Sequence, residues 1–528
     1  MITGLSASYR IDYAVIFAVA GLAIHYSLPR RRNPSLRDVP GPPSPSWTFG
    51  NMLQLLLPLH YGDYEFAWQK KFGPVYLIKG CFGEDRLMIS DLQALQYIFN
   101  SPHFGRGPAP ENAMNLLLDK NAVVAVKGET HKRFRAALNI GFTPSAVRNY
   151  QPIFERVAEK IAEQLDKCSE TQALTDIFPI MSPATLSAIS EAALGLSSRD
   201  LGETFVANNE HIIWLSSHQS STQIVLAAIA SRLPRIVREA AMHLPTATFK
   251  VLRTVKSLAH QIGRRVIAEK LAAAQQGVNI RTDVFGMLLD PEQSDLKKKN
   301  VLTEDELVAQ TGILMIAGQD TVTNTLVFGC LELARHPEFQ HQLRAEIHSS
   351  LRGPYSASAY ESMPLLNAFI KETLRFYPPE AIQELVTVKD TVIPLTDGIK
   401  NAKGELMNHI PVQKGQVVLA AIASYQRLQS RWGEDAHQFR PSRWVDGTIV
   451  QGQAVGPYAN LLSFLGGPRV CLGWRFAILE MQVFFSKLVG EFSFALSEED
   501  CLRTRYGNML VPITPSGEKA APLYITRI

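Results

Sequence analysis

One periodic stretch, Thr303 to Ala334, sets the scale of whatever this chain can fold into. Thr303 is placed to cap a helix and Glu306 to reach back to it, a reciprocal capping box. The pattern stops before His336-Pro337, where a proline cannot carry the helix on. This predicts a helix of roughly 30 residues, about 45 Å long, enough to cross an entire domain. Its centre, "GILMIAGQDTVTNTL", is apolar apart from Gln319, Asp320, Asn324 and the threonines. An aspartate there argues against a membrane span and for a central, buried helix with a functional polar spot.

The remainder has to be built around that helix. By length alone, 528 residues suggest three or four domains, at about 150 residues each. Past residue 51, however, there is no low-complexity linker and no repeat, and glycine and proline are scattered as punctuation. One large domain over residues 52–528 fits better, and a 46% hydrophobic fraction supplies its core. A second helix is bracketed by Pro364 and by Pro378-Pro379, and holds "NAFIKETLRF". The shorter runs "ELVTVKDTVIPL" and "GQVVLAAIAS" read as strands. The expected fold class is mainly α with small β-sheets.

Lys plus Arg number 53 against 49 for Asp plus Glu, with no long basic block, so nucleic acid is not an expected partner. The five cysteines, Cys81, Cys168, Cys330, Cys471 and Cys501, are odd in number and widely spaced. They form neither a disulfide framework nor a zinc site of thiolates alone.

At the amino terminus, Tyr13 to Leu28 is mostly apolar and is followed by Arg30, Arg31 and Arg32. The run gives roughly 24 Å of helix, near the lower limit for a bilayer. Charge after the apolar run predicts an uncleaved single-pass anchor over residues 1–29 with the bulk of the chain in the cytosol. A cleaved signal, which carries its charge in front, and a buried core helix are the competing readings. Residues 30–51 then form a basic and proline-rich hinge, with four prolines between Val39 and Asn51 favouring an extended connector.

The stretch "FLGGPRVCLG", Phe464 to Gly473, puts a cysteine on a glycine-rich turn just before the helical pattern "WRFAILEMQVFFSKLV". A lone cysteine is usually a small buried hydrophobe. Here Gly466, Gly467 and Gly473 permit close backbone approaches and Pro468 stiffens the turn. Cys471 lies at a helix N-terminus, where N–H groups favour a thiolate. A thiolate held in a closed turn suits a single ligand to a soft metal centre.

These residues resemble the haem-ligand signature of the cytochrome P-450 family, the haem-thiolate monooxygenases: Phe464, Gly467, Arg469, Cys471 and Gly473 match F-x-x-G-x-R-x-C-x-G. The resemblance makes Cys471 the axial ligand to the iron of haem b, iron protoporphyrin IX. "KETLR" resembles the family's E-x-x-R pair through Glu372 and Arg375, and "FRPSRW" resembles the segment whose arginine, here Arg443, joins them in a structural network. "AGQDT" is similar to the oxygen-activation motif, in which Gly318 leaves room for dioxygen and Asp320 and Thr321 deliver protons. "KGETHKRFRAAL" resembles the segment that contacts a haem propionate, with His131 in place of the usual tryptophan, and Arg135. Lys127, Lys132 and Arg133 nearby present positive charge to an acidic electron donor.

Two positions depart from the family pattern. Where a further propionate arginine commonly follows the "PP" pair by six residues this chain has Leu385, and where a second threonine often follows D-T it has Val322. The first puts one propionate contact in doubt; the second alters the distal wall. The resemblance runs from the hinge through the helix after Cys471 and is strongest to microsomal eukaryotic, particularly fungal, members.

What the resemblance implies is NADPH- and O2-dependent hydroxylation of a hydrophobic small molecule by a protein in the endoplasmic reticulum membrane. Electrons would come from an NADPH-dependent flavoprotein reductase, with cytochrome b5 as a further donor. A terpenoid or other lipophilic secondary metabolite is the expected substrate, with fatty acids, sterols and xenobiotics as alternatives. A haem-thiolate isomerase or dehydratase that needs no oxygen is the other enzymatic reading.

Overall fold

The computed structural model describes residues 34–290, 301–350, 357–449, 455–498 and 500–528. The expected membrane anchor, residues 1–29, lies outside the described residues. Among those described, no helix is long and apolar enough to cross a membrane. The described part of the proline-rich stretch is docked, not free. Leu77 N–H donates to Pro40 O at 2.8 Å, and the Asn51 side chain bonds Lys79 N–H and Pro43 O.

The expected strands form and are joined by others. The largest sheet contains β1 (Val75–Lys79), β2 (Asp85–Ile89), β3 (Phe104–Arg106), β4 (Ile382–Thr387) and β5 (Val417–Ala421). Their order is β1-β2-β5-β4-β3, and only the β2–β5 pair is parallel. Three smaller sheets complete the β structure of the described residues. All five residues of β5 are buried, which is why "GQVVLAAIAS" shows no alternation. The run's last residues turn instead into a short helix, Ile422–Tyr425.

Helices make up most of the remainder. Those that position the site are α1 (Gly128–Leu138), α2 (Gln151–Thr171), α3 (Phe178–Leu194), α4 (Ala247–Gln275), α5 (Gln310–Arg335), α6 (Pro364–Phe376) and α7 (Trp474–Glu491). The long helix α5 runs through the middle, packed against α3, α4, α6 and α7. It belongs to the large apolar cluster that holds most of the core.

The capping box at Thr303 and Glu306 is present, but the predicted helix is split. A short helix ends at Val308 and α5 begins at Gln310, with Ala309 between them still in the helical region at φ −62° and ψ −19°. The reason is the Gln310 side chain, which is fully buried. Its Nε2 donates to Glu306 O at 2.7 Å and to Asn121 O at 2.8 Å, while its Oε1 accepts Val123 N–H. A side chain that takes up a helix carbonyl interrupts the ladder at that point.

Candidate active site

The cysteine turn is closed by one backbone bond: Cys471 N–H donates to Phe464 O at 2.8 Å. Gly467 has φ +63°, and a Cβ there would sit 2.1 Å from Phe99 O, so a larger residue is excluded on both counts. Gly473 ends the turn and α7 starts at Trp474. Burial pushes the Cys471 thiol above its ordinary range, against the Gly473 N–H and the Arg135 guanidinium that pull it down. Yet the residue retains accessible surface. Without a metal it is a thiol, and a metal would displace its proton.

Beside this turn, basic side chains gather without an anion. His131 is buried, and burial followed by the charges of Arg469, Arg135 and Arg106 lowers its pKa to about 4. Arg469 is lowered to about 10 by burial first and then by Arg106 and Arg135. Among the described residues no carboxylate is within ion-pair distance of any of the four. Mutually repelling cations in one place call for an anionic ligand. Together with the exposed Cys471, this donor set fits a haem and its two propionates. His131, Arg135 and Arg469 come together as the sequence predicts; Arg106, on β3, was not foreseen.

The centre of α5 also opens. Although the helix is packed on several sides, Ala317 is exposed and Thr321, one turn further on the same face, is half-buried. Thr321 Oγ1 donates to Ala317 O at 2.8 Å. Asp320 points elsewhere: its Oδ1 accepts from Lys519 Nζ at 2.9 Å and from Asn324 Nδ2 at 3.3 Å. Gly318 does not leave the room expected of it. A Cβ at this position would lie 2.4 Å from Ile189 Cγ1, so the missing side chain lets α3 approach α5 closely. Val322 is buried away from the opening. Gln319 is also structural, donating to the Ser182 hydroxyl at 2.9 Å and accepting from Asn209.

Behind the cysteine turn lies a fully buried ionic network. Glu372 and Arg375, three apart on α6, form a double hydrogen bond with both distances 2.8 Å. Arg443 Nε donates to the same carboxylate at 3.0 Å, as do Arg440 N–H at 2.7 Å and Trp444 Nε1 at 2.9 Å. Burial alone would raise the Glu372 pKa, but the Arg375 bond and the charges of Arg375 and Arg443 outweigh it and hold it below the ordinary range. The remaining guanidinium donors reach backbone carbonyls of Gln426, Ala436, Gln438, Trp432 and Asp435, and Arg443 Nη1 also donates to the Asp435 carboxylate at 3.0 Å. Gln426, unmarked by any motif, ties the network to the cysteine segment. Its Nε2 donates to Leu374 O and Arg375 O, and its Oε1 accepts from Leu462 N–H at 2.8 Å.

Comparison with known proteins agrees with this geometry. The family model "Cytochrome P450" matches residues 40–520. Cytochrome P450 monooxygenase 91 of Postia placenta is 28% identical, covering 93% of this chain and 94% of its own length. Cytochrome P450 monooxygenase 219 of the same fungus is 30% identical over 88% of both chains. Cytochrome P450 monooxygenase claQ of Ampulloclitocybe clavipes is 27% identical, with 86% of this chain and 85% of the relative covered.

Proposed function

Because the chain belongs to the cytochrome P450 family of monooxygenases, we propose that it binds haem b through Cys471 and hydroxylates a lipophilic small molecule, a terpenoid or similar secondary metabolite. The observation that carries the cofactor assignment is the exposed Cys471 near His131, Arg135 and Arg469, which have no carboxylate within ion-pair distance among the described residues. When bound, such a haem supplies dioxygen activation, the thiolate favouring O–O cleavage.

The chain's own residues do the rest. The loop closed by Phe464 and Cys471 fixes the sulfur, and the Gly473 N–H moderates its charge. Arg135 and Arg469 neutralise the propionates, and His131, neutral at pH 7, offers one N–H. Thr321 holds a hydroxyl on the open face of α5 and passes protons at Oγ1, while Asp320 beside it, held by Lys519, supplies them only on leaving that pair. Glu372, Arg375 and Arg443 keep the wall behind the cysteine turn rigid and take no part in proton transfer.

Electrons arrive from an NADPH-dependent flavoprotein reductase, with cytochrome b5 as a further donor, and Lys127, Lys132 and Arg133 offer basic docking charge. The protein is held on the endoplasmic reticulum membrane by residues 1–29, facing the cytosol. Exposed Trp47, Leu59, Ile236, Val237 and Leu244 support contact with a lipid surface.

The test is a carbon monoxide difference spectrum of the reduced full-length protein, wild type against Cys471→Ala. The expected result is a thiolate-haem band that the substitution abolishes. A band that survives it overturns the ligand assignment. With reductase, NADPH and a panel of terpenoids, fatty acids and sterols, hydroxylated product should depend on O2 and fall in Thr321→Ala. Product formed without O2 would move the protein to isomerase or dehydratase chemistry.

A further inference from the structure

Glu380 takes no part in the cysteine turn, the proton relay or the ionic network, yet it stands between the basic cluster and the open part of α5. We infer that Glu380 is the polar anchor of the substrate site and that the substrate is a lipophilic alcohol. Glu380 holds the hydroxyl while the hydrocarbon body fills the rest of the cavity.

Residues 377–381 connect α6 to β4. The backbone that carries Glu380 is pinned on both sides. Leu510 N–H donates to Pro379 O and Ala423 N–H to Ala381 O, both at 3.0 Å, and Tyr506 Oη donates to Ile382 O at 2.9 Å. Tyr506 and Leu510 belong to a hairpin of strands Arg503–Tyr506 and Leu510–Ile513. Its tip reaches α5, where Met509 Sδ lies 3.9 Å from Asn324 Nδ2, one turn from Thr321. On the other side stands Arg106 of the basic cluster, close enough for its charge to pull on the Glu380 carboxyl. Glu380 is therefore bracketed by the cations that fit the haem propionates and by the hairpin that touches α5 beside its exposed threonine.

From Tyr377 to Gln383, Glu380 alone keeps accessible surface. That surface does not face bulk water: burial raises the carboxyl pKa to about 7, with Arg106 only partly opposing. Among the described residues the carboxyl has one hydrogen-bond partner, the Gln383 amide, turned so that its nitrogen donates to the two oxygens at 2.7 and 2.9 Å. A carboxylate offers about four lone-pair sites, so acceptor capacity is left over. A hydroxyl suits it best. Near pH 7 this group exchanges between charged and neutral forms, and a hydroxyl donates to the first and accepts from the second. An ammonium would pair with the charged form alone and would stand near Arg106. A bare hydrocarbon would cover the carboxyl without supplying a bond. The substrate then comes from a reaction that has already installed or freed a hydroxyl group.

The inference rests on the haem-thiolate reading, and the experiment separates the two. Ferric full-length holoprotein is titrated with matched pairs: geraniol and myrcene, farnesol and farnesene, dodecanol and dodecane. The shift of the main haem absorbance band gives each Kd. At least one alcohol should bind about tenfold tighter than its hydrocarbon, the scale of one hydrogen bond to a charged group. Glu380→Leu and Glu380→Met should abolish that preference while hydrocarbon binding holds or tightens. A merely structural residue would weaken both members of a pair alike, and an unchanged ratio in these variants overturns the assignment. So does loss of the carbonyl band in both variants, which would make Glu380 a folding residue. A wild type with no thiolate-haem carbonyl band overturns the parent reading and this one with it. A normal band with no alcohol preferred in any pair overturns this one alone.

Discussion

Lys519 Nζ lies 2.9 Å from Asp320 Oδ1, with 9% and 6% of the two side chains exposed, so the segment before the last strand is ion-paired to the middle of α5. The ammonium also sits 4.8 Å from the Phe178 ring centroid at the start of α3. Three elements far apart in sequence meet at one buried charge pair. Breaking such a pair from one side strands the other charge in a poorly solvated place.

Lys519→Met should therefore cost about 3 kcal/mol of stability, whereas the double variant Lys519→Met, Asp320→Asn should recover most of it. Melting temperatures of the holoproteins at a fixed scan rate read both. Equal losses in single and double variants would mean that the pair is not coupled.

Glu372 governs a larger balance. Glu372→Gln leaves Arg375 buried with no carboxylate, while Arg443 retains Asp435 at 3.0 Å. The expected loss is at least about 3 kcal/mol, a large part of ordinary domain stability. Since the folded-state pKa is lowered, the stability this carboxylate contributes is complete above the ordinary glutamate range. It is lost as pH falls through the depressed folded value. Acid unfolding curves of wild type and Glu372→Gln should accordingly converge at low pH.

His131 behaves with the same sign for a different reason. It is neutral in the fold, with its pKa lowered from 6.5 to about 4 by burial and by three neighbouring guanidiniums. Its stabilising contribution is complete above pH 6.5 and drains away as pH falls toward about 4. His131→Phe should flatten that part of the melting temperature profile; an unchanged slope would place the titrating group elsewhere.

The parts of this site legible in sequence are those fixed by local spacing. The capping box at Thr303, the proline brackets around α6 and the glycine turn at Cys471 all depend on residues within a few positions of each other. Glu372 and Arg375 could be paired for the same reason. The partners of Arg375 could not be, because they are backbone carbonyls, which any residue type supplies. Arg106 could not be placed with this cluster because it arrives there on a strand, β3, that pairs with a segment far along the chain. The break at Ala309 likewise depends on where the Gln310 side chain finds its acceptors.

Gly318 shows how a correct motif can carry a wrong reason. The sequence reading gives it space for dioxygen, but that space is filled by Ile189. With a would-be Cβ at 2.4 Å from Ile189 Cγ1, Gly318→Ala must push α3 and α5 apart or force a rotamer change. Overpacking of this kind costs about 1–3 kcal/mol. Ile189→Ala in the same chain should relieve the clash, so the double variant should be more stable than the sum of the two single losses predicts. Melting temperatures of the four holoproteins measure that coupling. If the two losses simply add while Gly318→Ala alone abolishes oxygen consumption, the glycine serves the open face of the helix after all.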